Sequence, residues 1–174
     1  MKDLTVYTCI LNGYDDLMPP AIINSHFRYI CFTNINLPPC PPWGYRPAYW
    51  PENLKSNRAS RIPKILSHLH VDTEYSIWID GHLQLLVDPE DLIAGHTNES
   101  DLALFQHPLR DCVYSEIALC LEEGIGDKTE LIAQEASYRA LCYPAQNGLW
   151  ACGLIVRRHT ADYALKRNYH VFVP

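Results

Sequence analysis

The strongest constraint on the fold is that strand-like and helix-like segments alternate along the whole 174-residue chain. Several short segments are rich in β-branched and aromatic residues and are bounded by turn residues, as strands are. They are Leu4–Leu11, Arg28–Thr33, Tyr75–Ile79, Leu102–Phe105 and Ala151–Val156. Helical character or spacing lies at about 54–70, 89–95, 113–121, 128–141 and 161–168. This alternation predicts a mainly parallel sheet with helices on both faces, in a single α/β domain over residues 1–174.

Local signals place several element boundaries. Asp88-Pro89 predicts a helix start, because the carboxylate caps a backbone donor and proline has no donor to leave unpaired. Asp127 with Glu130 predicts a second capped helix. Pro63 predicts a kink or a restart within residues 54–70. Prolines crowd residues 37–51, which predicts a rigid surface loop there.

The composition is that of an ordinary globular protein, with 48% hydrophobic and 20% charged residues. No apolar run approaches the roughly 20 residues that a membrane-spanning helix needs, so we expect no transmembrane segment. The first residues lead into a strand-like segment without the layout of a signal peptide, which predicts a cytoplasmic domain. The net charge of -6 argues against nucleic acid as a partner, because domains that bind it are generally basic.

The seven cysteines are scattered, and no two of them form a Cys-x-x-Cys pair. A zinc cluster needs thiolates at short spacing, and a secreted disulfide framework usually has an even number of cysteines. Most of these cysteines lie in apolar stretches, where cysteine behaves as a small hydrophobe. We therefore expect them to be structural.

Polar residues that follow the strands are the first candidates for a site, because open α/β sheets bind ligands beyond the carboxyl ends of their strands. Asp15 follows the first strand, and Asp80 ends the apolar strand Tyr75–Ile79. Gly81 permits a close approach, and His82 points to the same side as Asp80 if the chain stays extended. A carboxylate and an imidazole so placed can share one divalent ion with diphosphate oxygens. The alternative is a strand-ending Asp-Gly turn and a surface histidine.

A basic stretch precedes this strand. Residues 53–71 contain no acid, and they include four cations at three-residue spacing: Lys55, Arg58, Arg61 and Lys64. One interpretation is that they neutralise a diphosphate, for which arginine offers a bidentate fork and lysine a point charge. The alternative is a solvated helix face.

The segment His107-Pro108-Leu109-Arg110-Asp111 places three ionisable residues directly after a strand and before a helix. Loops in this position commonly hold substrate groups on a rigid scaffold. The alternative is a turn in which Asp111 starts the next helix, which leaves His107 and Arg110 unexplained. Arg157-Arg158-His159 after the last strand is open to the same two interpretations.

Seven blocks in order resemble a known family. They are Val6-Tyr7-Thr8 with Gly13-Tyr14-Asp15, Tyr29–Thr33, Arg58–Lys64, Ile77–Gly81, His107-Pro108 with Arg110-Asp111, Gln134 with Tyr138, and Gly153 with Arg157-Arg158-His159. Together they resemble the glycosyltransferase-like family of plant turgor-regulation-defect and mucilage-related proteins and bacterial polysaccharide-locus proteins. The resemblance covers nearly the whole chain.

The resemblance implies a GT-A-like, Rossmann-like fold, a nucleotide-sugar donor, a carbohydrate or other hydroxyl acceptor, and a divalent metal, commonly Mn²⁺ or else Mg²⁺. It places the base and ribose near Tyr7 and Thr8. The expected catalytic residues are Asp80, His107, Arg110, Asp111 and Gln134. The expected nucleotide-sugar-binding residues are Tyr7, Thr8, Asp15, Arg58, Arg61, Lys64 and Arg157. The expected metal ligands are Asp80 and His82.

Two departures qualify that expectation. The family's Asp-x-Asp-like motif is Asp80-Gly81-His82 here, so its second member is not a carboxylate. The chain also ends soon after Arg157-Arg158-His159, which suggests a truncated C-terminus. We expect metal-assisted glycosyl transfer in surface-polysaccharide synthesis. The alternatives are a degenerate nucleotide-sugar-binding or scaffolding module and a metal-dependent nucleotide-diphosphate hydrolase.

Overall fold

The computed structural model describes residues 3–50, 54–97 and 100–160, and its strands form one six-stranded sheet. The strands are β1 Leu4–Ile10, β2 Arg28–Thr33, β3 Gly44–Pro47, β4 Tyr75–Ile79, β5 Leu102–Gln106 and β6 Trp150–Arg158. Their order in the sheet is β3-β2-β1-β4-β6-β5. β1 pairs in parallel with β2 and β4, β2 pairs in parallel with β3, and β4 pairs antiparallel with β6. The predicted mixed, mainly parallel α/β sheet is therefore confirmed.

The helices follow the capping signals in the sequence. They are α1 Ser56–Ala59, α2 Arg61–Ile65, a 3-10 turn at Ser67–Leu69, α3 Pro89–His96, α4 Val113–Glu122 and α5 Lys128–Ala140. Asp88 accepts a hydrogen bond from the Glu90 backbone N–H at 2.9 Å, and Asp127 caps α5 in the same way. Both predicted starts are thus confirmed. The helix predicted at 161–168 lies outside the described residues.

The sequence interpretation and the structure differ in two segments rich in proline. The loop predicted at residues 37–51 contains β3, which the prolines obscured. β3 lies at the edge of the sheet, where Pro47 is tolerated because one side of an edge strand pairs with no other strand and needs no backbone donor there. Residues 54–70 form two short helices and a turn, and Pro63 lies in the first turn of α2, where a missing donor costs little.

The chain divides into two compact units. The first unit is Met1–Ala103 with Gly153–Pro174, and every residue of β1 and β4 in it is buried. The second unit is Leu104–Cys152; Ile117 is the buried residue of α4, and α5 has none. Among the described residues, no helix combines the length and the apolar character needed to cross a membrane.

Candidate functional site

The order of the strands identifies the position in the first unit at which a ligand is expected. The chain runs from β1 to β2 and β3 on one side, and then returns to place β4 on the other side of β1. In open α/β sheets, ligands bind outside the carboxyl ends of the strands where the order reverses in this way. Asp15 follows β1 and Asp80 follows β4, so both lie in chain segments that leave the sheet at this point.

The Asp80 carboxylate is held by two donors. Its Oδ1 atom accepts hydrogen bonds from Lys64 Nζ at 2.9 Å and from the Trp78 indole Nε1 at 2.7 Å. The Lys64 and Asp80 side chains are 16% and 28% exposed, so solvent screens this ion pair less than it screens a surface pair. Asp80 Oδ2 accepts no hydrogen bond from the described residues. That oxygen is therefore the one that can face a ligand.

Two glycines let the chain pack closely around Asp80. A Cβ atom added at Gly81 would lie 2.8 Å from Ile10 Cγ1 and 2.9 Å from Asp15 Oδ2. A Cβ atom added at Gly153 would lie 2.9 Å from Leu83 Cδ1 and 3.4 Å from Asp80 Oδ2. A side chain at either position would displace the groups that form the site.

His82 lies beside Asp15, with its Nδ1 atom 3.9 Å from Asp15 Oδ1. The chain does not stay extended after Asp80, because the Leu83 backbone N–H donates to the Asp80 carbonyl at 2.9 Å in a turn. The condition under which His82 and Asp80 point to the same side is therefore not met. The expected sharing of one ion by these two residues remains a prediction.

The donor set fits a divalent ion only in part. Within residues 3–50, 54–97 and 100–160, no group of three or more His, Cys, Asp or Glu side chains is placed to hold a metal. Asp80 offers Oδ2, while Asp15 and His82 form a separate pair. The protein alone thus supplies an incomplete shell, which suits a hard cation when phosphate oxygens supply its other ligands.

Tyr7, Thr8 and Arg157 lie in the interior. Tyr7 and Thr8 are 0% exposed and Arg157 is 2% exposed, so none of them offers a surface to a nucleotide. Arg157 donates from Nη1 to the Tyr7 hydroxyl at 3.1 Å and from Nη2 to the Lys64 carbonyl at 2.7 Å. β1 and β6 place these three residues in the core. Direct contacts between them and a nucleotide, which the sequence led us to expect, do not fit this burial.

The four cations of the basic stretch have different surroundings. Lys64 is engaged with Asp80, whereas Lys55, Arg58 and Arg61 are exposed. Lys55 lies just before α1 and lines a large cavity. Lys55 therefore joins Lys64 as a candidate for contact with an anionic ligand.

The cavity has a volume of about 850 Å³ and lies at the carboxyl ends of β1, β2 and β3. It is lined by polar and aromatic side chains that include Asn34, Arg46, Tyr49 and Trp50. Asn34 Nδ2 donates to Asn12 Oδ1 at 2.6 Å, which fixes one wall. The volume of the cavity is in the range of small-molecule binding pockets. The sequence interpretation missed these residues, although the aromatic pair Tyr49-Trp50 inside a proline-rich loop was a usable signal.

In the second unit, His107 and Arg110 form hydrogen bonds within their own loop and an ion pair with α4. His107 Nδ1 accepts from the Leu109 and Arg110 backbone N–H groups at 3.2 and 3.0 Å. Arg110 pairs with Glu116 and lies 3.2 Å from His107 Nε2. Asp111 is exposed and does not cap α4, whose N-cap is Cys112.

The second unit also holds Gln134 and a smaller cavity. Gln134 is exposed on α5 and donates to the Tyr138 hydroxyl at 3.1 Å. The cavity, of about 440 Å³, is lined by Cys112, Tyr114, Arg139, Cys142, Tyr143 and Ala145. Hydrogen bonds from the backbone N–H groups of Gln146 and Ser115 lower the pKa of the Cys112 thiol. Cys112 is 6% exposed and lines this cavity, and its thiol is more acidic than that of an ordinary cysteine, which its apolar sequence context did not reveal.

The strand order and the charged groups describe an α/β protein with the Lys64–Asp80 pair beside β4, where the strand order reverses. The chain belongs to the TOD1/MUCI70 glycosyltransferase-like domain family, whose model matches residues 52–163. The family inferred from the sequence blocks is confirmed, and the blocks at residues 6–15 and 29–33 lie outside the matched residues.

One curated relative is the alkaline ceramidase TOD1 of Arabidopsis thaliana. It is 29% identical over 136 residues, covering 60% of this chain and 28% of the relative. The chain thus spans about a quarter of that relative's length. No solved structure matches.

Proposed function

We propose that this domain transfers a sugar from a nucleotide-sugar donor to the hydroxyl of a carbohydrate or other acceptor. The observation that supports this most directly is the Lys64–Asp80 pair beside Gly81, at the switch point of a glycosyltransferase-like domain. A cation and a carboxylate with one uncommitted oxygen suit a ligand that carries both phosphates and hydroxyls. We further propose a GT-A-like mode of donor binding, in the cytoplasm, for surface-polysaccharide synthesis.

The nucleoside part of the donor is assigned to the 850 Å³ cavity. Tyr49 and Trp50 supply aromatic surface there, on which a base can stack. Asn34 and Arg46 supply hydrogen-bonding groups for the ribose or the base edge. This assignment moves the base away from buried Tyr7 and Thr8.

The diphosphate is assigned to Lys64, with Lys55 and Arg61 as further cations around α1 and α2. Negative charge develops on the diphosphate as the sugar leaves, and a positioned ammonium stabilises that charge. Lys64 is already held in place by Asp80, so little reorganisation is needed when the charge appears. Asp15 and Arg58 keep their proposed roles in donor binding, whereas Arg157 is proposed to act on the donor site from the interior without contacting the donor.

We propose that Asp80 would hold a divalent cation, Mn²⁺ or Mg²⁺, with His82 as a weaker ligand. When bound, such an ion neutralises charge on a departing diphosphate. His82 is the weaker ligand because imidazole prefers later transition metals than manganese. Asp80 is the hard oxygen ligand that such ions select.

His107, Arg110, Asp111 and Gln134 remain proposed catalytic residues. In the second unit the first two contact each other and Gln134 contacts Tyr138. If His107 and Arg110 take part in the chemistry, they must therefore break their contact with each other and contact the substrate instead. Substitution of Asp111, whose carboxylate is exposed, tests a catalytic role with the least disturbance of these contacts.

A second candidate function is hydrolysis, which the relative named an alkaline ceramidase favours. One experiment separates the candidates: incubation with labelled nucleotide sugars and Mn²⁺ over a panel of sugar acceptors, and in parallel with a fluorescent ceramide. Label on an acceptor supports glycosyl transfer, and free sugar or sugar phosphate indicates a nucleotide-diphosphate hydrolase. Release of the fatty acid indicates a ceramidase. Binding without any product indicates a degenerate binding module.

The donor is chosen beforehand by a thermal-shift screen of nucleotide sugars with and without Mn²⁺. A ligand present at 100 times its dissociation constant stabilises the folded state by about 2.7 kcal/mol, which is easily measured. If no nucleotide sugar stabilises the protein under either condition, the proposed function is wrong.

A further inference from the structure

The side chains around Asp80 form a closed ring of contacts that begins and ends at Arg157. Arg157 Nη1 donates to the Tyr7 hydroxyl, and the Tyr7 and Trp78 rings lie edge to face with centroids 5.3 Å apart. The Trp78 indole and the Lys64 ammonium both donate to Asp80 Oδ1. Arg157 Nη2 donates to the Lys64 carbonyl and closes the ring. The ring joins β1, β4, β6 and α2.

Arg157 is an unusual group to place in this interior. It is 2% exposed, neither of its described hydrogen bonds goes to a carboxylate, and its Nε atom has no partner among the described residues. A buried charge without a counter-charge is unfavourable unless the protein gains something from its position. The two cations of the ring, Arg157 and Lys64, also outnumber its one carboxylate, so the ring carries an excess of positive charge.

The contact between Arg157 and Lys64 involves the lysine backbone. Lys64 is the fourth residue of α2, a five-residue helix whose carbonyl groups have few partners within the helix. The Arg157 guanidinium binds the Lys64 carbonyl at 2.7 Å and anchors the backbone from which the ammonium extends to Asp80. A lysine side chain has many rotamers, so a fixed backbone is needed if the ammonium is to stay in one place.

We propose that Arg157 is a positioning residue that fixes the Lys64 ammonium on Asp80, and thereby sets the affinity of the site for a diphosphate. The proposal rests on the function proposed above. Arg157 acts through Tyr7 and the Lys64 carbonyl and does not contact the diphosphate. The excess positive charge of the ring also favours an anion beside Asp80.

The test uses Arg157→Lys, which keeps the charge but replaces the two-pronged guanidinium with a single ammonium. Tyr7→Phe removes only the hydroxyl that accepts from Arg157 and is the second variant if Arg157→Lys does not fold. Arg158→Lys is the matched control, because Arg158 is the next residue of β6 and pairs with Glu74 at 3.3 Å.

The first readout needs no ligand. The Trp78 indole N–H resonance, assigned with Trp78→Phe, reports on the contacts of Asp80 Oδ1. We expect Arg157→Lys and Tyr7→Phe to shift this resonance and Arg158→Lys to leave it in place. If both variants fold and the resonance does not move, Arg157 does not position this group and the proposal fails.

The second readout is calorimetric titration with the best of UDP, GDP, ADP and CDP, and with the matching nucleoside. Lys64→Met should weaken diphosphate binding about tenfold, as expected for a charge-assisted contact. Arg157→Lys should weaken it about fivefold and leave nucleoside binding unchanged. In the Lys64→Met background, Arg157→Lys should add less than about a twofold change, because both variants remove the same interaction.

If the losses caused by Arg157→Lys and Lys64→Met are additive, Arg157 has only a structural role. The same holds if Arg157→Lys weakens nucleoside binding as much as it weakens diphosphate binding. If no nucleoside diphosphate binds the parent protein, the proposed function fails instead, and the indole resonance still decides the positioning role.

Discussion

The two compact units use their charged residues in opposite ways. In the second unit, His107 accepts from two backbone donors and Arg110 pairs with Glu116, so that loop satisfies its polar groups internally. In the first unit, Asp80 leaves Oδ2 without a hydrogen bond from any described residue, and Arg157 leaves its Nε unpaired among them. Both sequence segments had been selected by the same criterion, ionisable residues after a strand.

The difference follows from packing. β1 and β4 are buried along their whole length, and Arg157 of β6, which contacts Tyr7 of β1, is 2% exposed, so solvent does not reach its Nε atom. α5 has no buried residue, so its polar groups reach solvent. The first unit thus combines a buried sheet with an unpaired buried polar atom, whereas the described polar groups of the second unit pair internally or reach solvent.

The largest contrast that we expect is in thiol reactivity. Burial raises the pKa of Cys9 and Cys31 in the first unit to about 12, whereas backbone N–H groups lower the pKa of Cys112 from 9.0. At pH 7 the thiolate fraction of Cys112 is therefore much larger than that of Cys9 or Cys31. Cys112 is as buried as Cys9, at 6% and 5% exposed, but it lines the cavity of the second unit. Iodoacetamide that reaches this cavity at pH 7 should therefore modify Cys112 faster than Cys9 and Cys31.

Because the thiolate is the reactive form, the rate at Cys112 should rise with pH and stay above the rates at Cys9 and Cys31. Peptide mass spectrometry checks this, with Cys112→Ser as the control. Modification of Cys9 at the same rate would mean that the first unit is less tightly packed than described.

A stability comparison is expected to give the next largest difference. Ile77 of β4 is 0% exposed, and Ile132 of α5 is 49% exposed. Ile77→Ala should lower the free energy of unfolding by about 2–5 kcal/mol, because it leaves a cavity in a close-packed core. Ile132→Ala should change it by less than about 0.5 kcal/mol. Urea unfolding of both variants measures the difference, and equal losses would contradict the contrast between the units.

Glycine substitutions test the packing at the site itself. Gly81→Ala places a methyl group against Ile10 and Asp15 and should cost about 1–3 kcal/mol of stability. Gly95→Ala is the matched control, because Gly95 lies in α3 with nothing within 4 Å of its added Cβ. That variant should be neutral or more stable by about 0.5–1 kcal/mol. A neutral Gly81→Ala would mean that Asp15 is free to move away.

Much of the fold could be predicted from local patterns. Arg28–Thr33 and Tyr75–Ile79 were predicted with the bounds that the structure has, since their apolar runs end at clear turn residues. β3 was missed because proline breaks helices and central strands but is tolerated at an edge, and edge position is a property of the whole sheet.

The site was less predictable, because burial decides it. Lys64 and Asp80 were both identified from the sequence, but their contact joins residues 16 positions apart through a helix and a strand. Tyr7 lies near a strand end in the sequence and yet is 0% exposed, because the rings of Phe32 in β2 and Trp78 in β4 pack against its ring. Strand order and burial are not local properties, so the sequence pattern could not supply them.

The most direct test of a diphosphate and metal site at Asp80 is calorimetric titration of a nucleoside diphosphate with and without Mn²⁺. The parent protein is compared with Asp80→Asn, which keeps the shape and removes the charge, and with Glu135→Gln, a surface control on α5. In the parent and the control, Mn²⁺ should tighten nucleotide binding about tenfold or more, and by reciprocity nucleotide should tighten Mn²⁺ by the same factor. In Asp80→Asn this coupling should fall below about twofold while the protein remains folded, with a thermal midpoint lowered by the loss of the Lys64 ion pair. Equal nucleotide affinity with and without Mn²⁺ in the parent, or full coupling in Asp80→Asn, would contradict the proposed site.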